Sequence, residues 1–126
     1  MRNYYRNGPR PNWQREFVSA YASSHPWEDW SECWAHYLTI VDALDTAQAF
    51  GVEITLDHTG SLFSRTDSYT SETFDDMLEQ WLPLTYAMNS INRSGGSADL
   101  YPFVLPGPAI DKLRFVHDII KTQRPK

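Results

Sequence analysis

Glu32 and His36 are the two side chains of this sequence best spaced to do chemistry together. Four positions apart on a helix, they reach the same small volume of space, and Glu28 and Thr39 extend the row. Two readings are open. Most simply, Glu28, Glu32, His36 and Thr39 form a solvated helix face. In the sharper reading Glu32 is a metal ligand, and His36, one turn further on, is the polar group that orients it. Spacing alone does not choose between them.

The remaining candidates add little to a site. His25, His58 and His117 are scattered, and no two histidines stand in the i, i+4 relation of an H-E-x-x-H zinc helix. A catalytic zinc takes about three protein ligands and keeps one position open, so one convincing ligand is not a site. His25 immediately precedes Pro26 and reads as a helix-entry residue; His117, beside Val116, reads as packed or exposed and not as functional. Cys33 is the single cysteine. Its neighbours are aromatic, which favours a buried structural thiol whose pKa is raised and whose reactivity is blunted. There is no glycine-rich phosphate loop and no nucleophile elbow.

The element that must carry Glu32 and His36 is SHPWEDWSECWAHYLTIVDALDTAQAFG, Ser24 to Gly51, which reads as one long amphipathic helix. Pro26 suits the first helical position, Glu28 and Asp29 put negative charge in the first turn, and Gly51 supplies the stop. At about 100° per residue Trp27, Trp30, Trp34, Tyr37, Leu38, Val41 and Leu44 share one arc, with Cys33 and Ile40 at its edge, and that arc is expected to be buried. A short helix is expected over Trp13–Tyr21. The stretch after Gly51 opens with VEITL, which suits a brief strand, and continues as a turn-rich loop to about Tyr69. A second long helix is expected from Ser71 to about Arg93, with Pro83 marking a kink or joint inside it and Gly95-Gly96 ending it. The apolar connector SADLYPFVLPGP is expected to lie in a groove between helices. A last helix is expected from Pro108 to about Lys121, burying Ile110, Leu113, Val116 and Ile120. The expected fold class is therefore all-α: an irregular bundle of three main helices plus a short N-terminal one, with a longer loop after the central helix.

The 126 residues are expected to form a single helical domain. With 14% aromatic and 21% charged residues the chain has the composition of a globular protein. Its formal net charge of −5, with no two basic residues adjacent, argues against nucleic acid as a partner. No apolar run approaches the roughly 18 residues of a membrane span, and MRNYYRNGPRPN is too polar for a signal peptide, so a cytoplasmic location is expected. Tyr4 and Tyr5 have little nearby in sequence to bury against, which hints at a missing preceding segment.

Two long motifs, SAYASSHPWEDWSECWAHYLTIVDALDTAQAFG and WLPLTYAMNSINRSGGSADLYPFVLPGPAIDKLRFVHDII, closely resemble the C-terminal part of a bacterial family described as putative zinc-binding metallopeptidases. The likeness runs from about Trp13 to Ile120, apart from the stretch after Gly51. It implies a helical zinc peptidase in which an H-E-x-x-H helix gives two histidine ligands and the general base, while a downstream helix gives a glutamate. In that scheme Glu32 matches the third ligand and His36 the orienting position behind it. The family pattern more usually has threonine where Cys33 stands and histidine where Thr39 stands. The H-E-x-x-H helix lies upstream of the region present here, which implies the C-terminal portion of a larger protein, inactive by itself and a weak holder of zinc, with a peptide or protein substrate once completed. The alternative from a different class is a non-catalytic helical binding module that has lost the zinc helix, with a groove between the polar row and the loop from Leu100 to Leu105. Self-association through a face that once met the missing half is a third expectation.

Overall fold

The computed structural model describes residues 1–54, 73–100 and 105–123. Among them are four α-helices and no strand: α1 (Arg2–Asn7), α2 (Pro26–Ala49), α3 (Phe74–Ser94) and α4 (Gly107–Gln123). The all-α expectation holds. No helix among the described residues is long and apolar enough to cross a membrane. The chain divides into two compact units, Met1–Thr39 with Val104–Lys126, and Ile40–Phe103.

The central helix begins and ends where its sequence signals stand. Pro26 is its first residue. The imidazole Nδ1 of His25 accepts the Trp27 backbone N–H at 3.1 Å, so His25 does serve helix entry by satisfying one of the amides a helix start leaves over. At the other end Gly51 takes φ +65°, a left-handed conformation that glycine adopts without steric cost. The Gly51 and Val52 amides then donate to Gln48 and Ala47 carbonyls at 2.9 and 2.8 Å, closing the last turn.

In the first unit the apolar side chains with less than a tenth of their surface exposed are Val18, Ala22, Cys33, Tyr37, Ala109, Leu113 and Val116. Helices α2 and α4 meet there through their side chains. Tyr37 is hydrogen-bonded to His117, the Lys112 ammonium pairs with Asp29, and the rings of Trp30 and Phe115 stand 6.1 Å apart. His117 is buried, in accord with a packing role. The N-terminal dozen residues behave differently from expectation. Arg2–Asn7 of them form α1, whose Tyr4 ring meets Tyr5 and Tyr21 edge-on at 5.5 and 5.8 Å, while the Met1 amino group donates to the Ser24 carbonyl. Tyr4 thus has its aromatic partners within the chain.

The helix expected over Trp13–Tyr21 is replaced by two 3-10 turns, Trp13–Arg15 and Tyr21–Ser24. Asn12, in the left-handed region at φ +59°, opens the first turn. The Ser19 hydroxyl takes the Ala22 amide that a continuing helix would have used, the usual way serine diverts a backbone from helix to turn.

In the second unit Ile40, Leu44, Phe74, Met77, Leu78, Trp81 and Leu84 form the apolar interior. Helix α3 runs through Pro83 as one element, and its start is capped by Thr73, whose hydroxyl accepts the Asp76 amide at 3.2 Å. The connector beyond α3 is tied back at Leu100, whose amide donates to Asn89 Oδ1 at 3.0 Å. Val52–Ile54 show no strand; the rest of VEITL, the loop that follows it, and residues 101–104 lie outside the described residues.

Candidate functional site

The buried seam of α2 is not the expected tryptophan arc. Cys33, Tyr37, Ile40 and Leu44 form it, while Trp27 is 72% exposed and Trp30 and Leu38 also face solvent. The helix is turned by roughly a quarter rotation toward the polar row. Glu28, Glu32, His36 and Thr39 are consequently half-buried and not a solvated face.

A half-buried carboxylate must be satisfied or it destabilises the fold, and two of the acids on this flank of α2, Glu32 and Asp29, have side-chain partners. Glu32 Oε2 accepts the Ser19 hydroxyl at 2.9 Å. The same Ser19 Oγ accepts the Ala22 backbone N–H at 3.0 Å. Asp29 Oδ2 lies 2.8 Å from Lys112 Nζ, and the Lys112 ammonium also donates to the Glu16 carbonyl at 3.0 Å and sits 4.2 Å from the centre of the Phe17 ring. None of these partners lies within the stretch of α2 that shows the spacing.

His36 is the other half of the candidate pair. Burial pushes its imidazole below the ordinary histidine value, so the neutral form is favoured. Its Nε2 is buried and has no hydrogen-bond partner among the described residues. Thr39, next along the row, is turned onto its own helix, its hydroxyl donating to the Ala35 carbonyl at 2.9 Å. Cys33 is inert by contrast. Burial first, and the Asp29 carboxylate second, push its thiol up to about 12, and its sulfur lies 3.6 Å from Asp29 Oδ1. The structural-cysteine expectation is met.

Among the described residues no group of three or more His, Cys, Asp or Glu side chains could hold a metal ion. His58 falls outside those residues. What α2 presents is one carboxylate with an oxygen already held and, a turn away, a buried imidazole nitrogen that has no hydrogen-bond partner among the described residues. That donor set is not by itself a zinc site, which takes about three protein ligands. Spacing singles out Glu32 and His36 in the sequence and passes over Ser19, whose hydroxyl meets Glu32 in the structure. The only local signal for Ser19 was a serine three residues before Ala22, the offset at which a hydroxyl caps a turn.

A family model described as "Putative zinc-binding metallo-peptidase" matches residues 1–119. An uncharacterized protein of Mycobacterium bovis and two of Mycobacterium tuberculosis are each 44% identical to this chain over 122 residues. The match takes in 97% of this chain but 34% of each relative, so the chain spans about a third of the length of the curated relatives it matches. No solved structure matches.

Proposed function

This chain belongs to the family of putative zinc-binding metallo-peptidases, and from that premise we propose that it is the helical part of a zinc-dependent peptidase that supplies Glu32 as a metal ligand. The observation that carries the reading is the Glu32 carboxylate, half-buried and held through one oxygen by Ser19, a turn away from a buried imidazole nitrogen that has no partner among the described residues. His36 is the orienting group in this reading. The two further protein ligands come from the part of the longer protein outside this chain, and so does the general base. Zinc, when bound, supplies a water acidified toward neutrality and polarises the scissile carbonyl of a peptide or protein substrate. The work of this chain's own residues is positional: Ser19 and α2 hold a carboxylate, and burial keeps His36 neutral and able to accept or donate a single hydrogen bond. Alone, the chain is inactive and holds zinc weakly, because one carboxylate is one ligand.

The test is to replace the residue matching Glu32 by Ala in a longer mycobacterial relative and measure zinc content and helical circular dichroism. Loss of zinc with unchanged helicity is expected. Zinc and peptidase activity both retained at the unmutated level would overturn the assignment.

One observation favours a second reading. Trp27, Trp30, Leu38 and Phe115 expose apolar surface on the first unit, as a non-catalytic binding module or a self-associating chain would. Light scattering on the isolated chain separates these: a concentration-independent monomer removes self-association, and zinc loss in the Ala variant above removes the non-catalytic reading.

A further inference from the structure

We propose that the uncharged outer face of α2, widened by Phe115 of α4, docks a second copy of this chain, the two copies packing α2 against α2 about a two-fold axis. The proposal rests on the self-association reading and is independent of Glu32, which lies roughly 130° around α2 from the middle of this face. All of the residues involved belong to the first unit. Over positions 27–38, Trp27, Trp30, Ser31, Trp34, Ala35 and Leu38 share an arc of roughly 140°, and none is charged. Trp34 is half-buried and the other five are exposed. The rings are held in place: Trp30 stands edge-on to Trp34 with centroids 5.7 Å apart, and lies 6.1 Å from Phe115. An aromatic anchor already fixed in one orientation loses little freedom when a partner covers it.

Three features favour a second copy as the occupant. The first is the pattern of side-chain size. Antiparallel helices related by a two-fold axis midway between positions 32 and 33 bring Trp30 of one copy to Ala35 of the other, Ser31 to Trp34 and Trp27 to Leu38, each contact occurring twice. Each inner tryptophan thus meets a small exposed residue, and the large pair lies at the ends, where crossing helices diverge. Bulk and hollow on one surface make it complementary to itself, as an isologous interface requires. The second is area. Trp27, Trp30, Leu38 and Phe115 are 72%, 40%, 50% and 58% exposed, which amounts to roughly 500 Å² of apolar surface. A stable dimer buries about 800 Å² per copy, about 65% of it apolar, so these four side chains supply nearly all of the apolar share. The third is charge. Asp29 and Glu32 are turned to the other flank and engaged by Lys112 and Ser19, so the contact buries neither carboxylate.

The test is sedimentation equilibrium of the 126-residue chain and of its Ala35→Ser and Ala35→Glu variants, with helical circular dichroism alongside. Ala35 is exposed, so both variants should keep their helicity. The expected species is twice 14.6 kDa for the unmutated chain and for Ala35→Ser. In Ala35→Glu the dissociation constant should rise more than about 100-fold, because a carboxylate is pressed against a tryptophan at two places in each dimer. In about 0.5 M sodium chloride the dimer should persist, since an apolar contact is not screened and two copies of net charge −5 repel less there. An unmutated chain that is monomeric at every concentration overturns the proposal together with the self-association reading, and gives the face to a different partner. A dimer equally tight in Ala35→Glu, or one that salt dissociates, overturns this face and leaves self-association standing. Species larger than a dimer overturn the two-fold packing.

Discussion

The hydroxyl of Tyr37 lies 2.7 Å from Nδ1 of His117, a buried hydrogen bond between residues 80 positions apart that joins α2 to α4. The two rings also meet edge-on, with centroids 5.7 Å apart. Removing one partner of such a bond leaves the other desolvated without it, a loss of about 1–3 kcal/mol. Tyr37→Phe keeps the ring and deletes only the hydroxyl. It should lower the midpoint of urea unfolding by that amount with an unchanged slope; a shift below about 0.5 kcal/mol would show that the bond is not formed in solution.

Lys112 serves three partners at once: the Asp29 carboxylate, the Glu16 carbonyl and the Phe17 ring. Lys112→Met keeps the aliphatic stem and removes the charge, leaving Asp29 beside the Cys33 sulfur without its cation. A loss of about 1–3 kcal/mol is expected, more than an exposed pair would give, because the Asp29 side chain is only 18% exposed. The double variant Asp29→Asn with Lys112→Met should lose less than the sum of the two singles. Strict additivity in that cycle would mean the two groups do not interact.

The Cys33 thiol, pushed up to about 12 by burial and then by the Asp29 carboxylate, is held in its protonated form at neutral pH. A thiol reagent should leave it untouched in native buffer and react fully in denaturant, where the thiol returns to its ordinary acidity. Rapid native labelling at pH 8 is the outcome that contradicts the structure.

Burial holds the His36 pKa below its unfolded value, so the unfolded chain binds a proton at His36 more readily than the folded one. Stability from this group is therefore fully present above the unfolded pKa and is lost as pH falls from there toward the folded value. His36→Gln should flatten the decline of stability across that acidic window, seen as a smaller change in thermal midpoint between neutral and mildly acidic pH. An identical decline in both proteins would assign it to other groups.

The sequence made some of this plain and hid the rest for identifiable reasons. Pro26 and Gly51 are local signals, and α2 spans what they bracket; the N-cap of α3 lies at Thr73, two residues past the expected Ser71 start. The face of α2 was misread because tryptophan counts as apolar in any periodic pattern, although its large ring is seldom wholly buried. Ser19 and Lys112, each paired with an acid on the flank toward which the helix is turned, do not lie on α2, so no periodicity within α2 reveals them. The turn at Tyr21–Ser24 was hidden likewise, since a hydroxyl competing for one amide leaves little trace in spacing.

The uneven setting of the tryptophans gives the chain its own optical reporters. Trp27 in the first unit is 72% exposed, whereas Trp81 in the second is fully enclosed. Red-shifted emission open to iodide quenching belongs to the former, and blue-shifted, shielded emission to the latter. The other three tryptophans, Trp13, Trp30 and Trp34, also belong to the first unit, so the emission that Trp81→Phe removes is the second unit's own signal, read without any added dye.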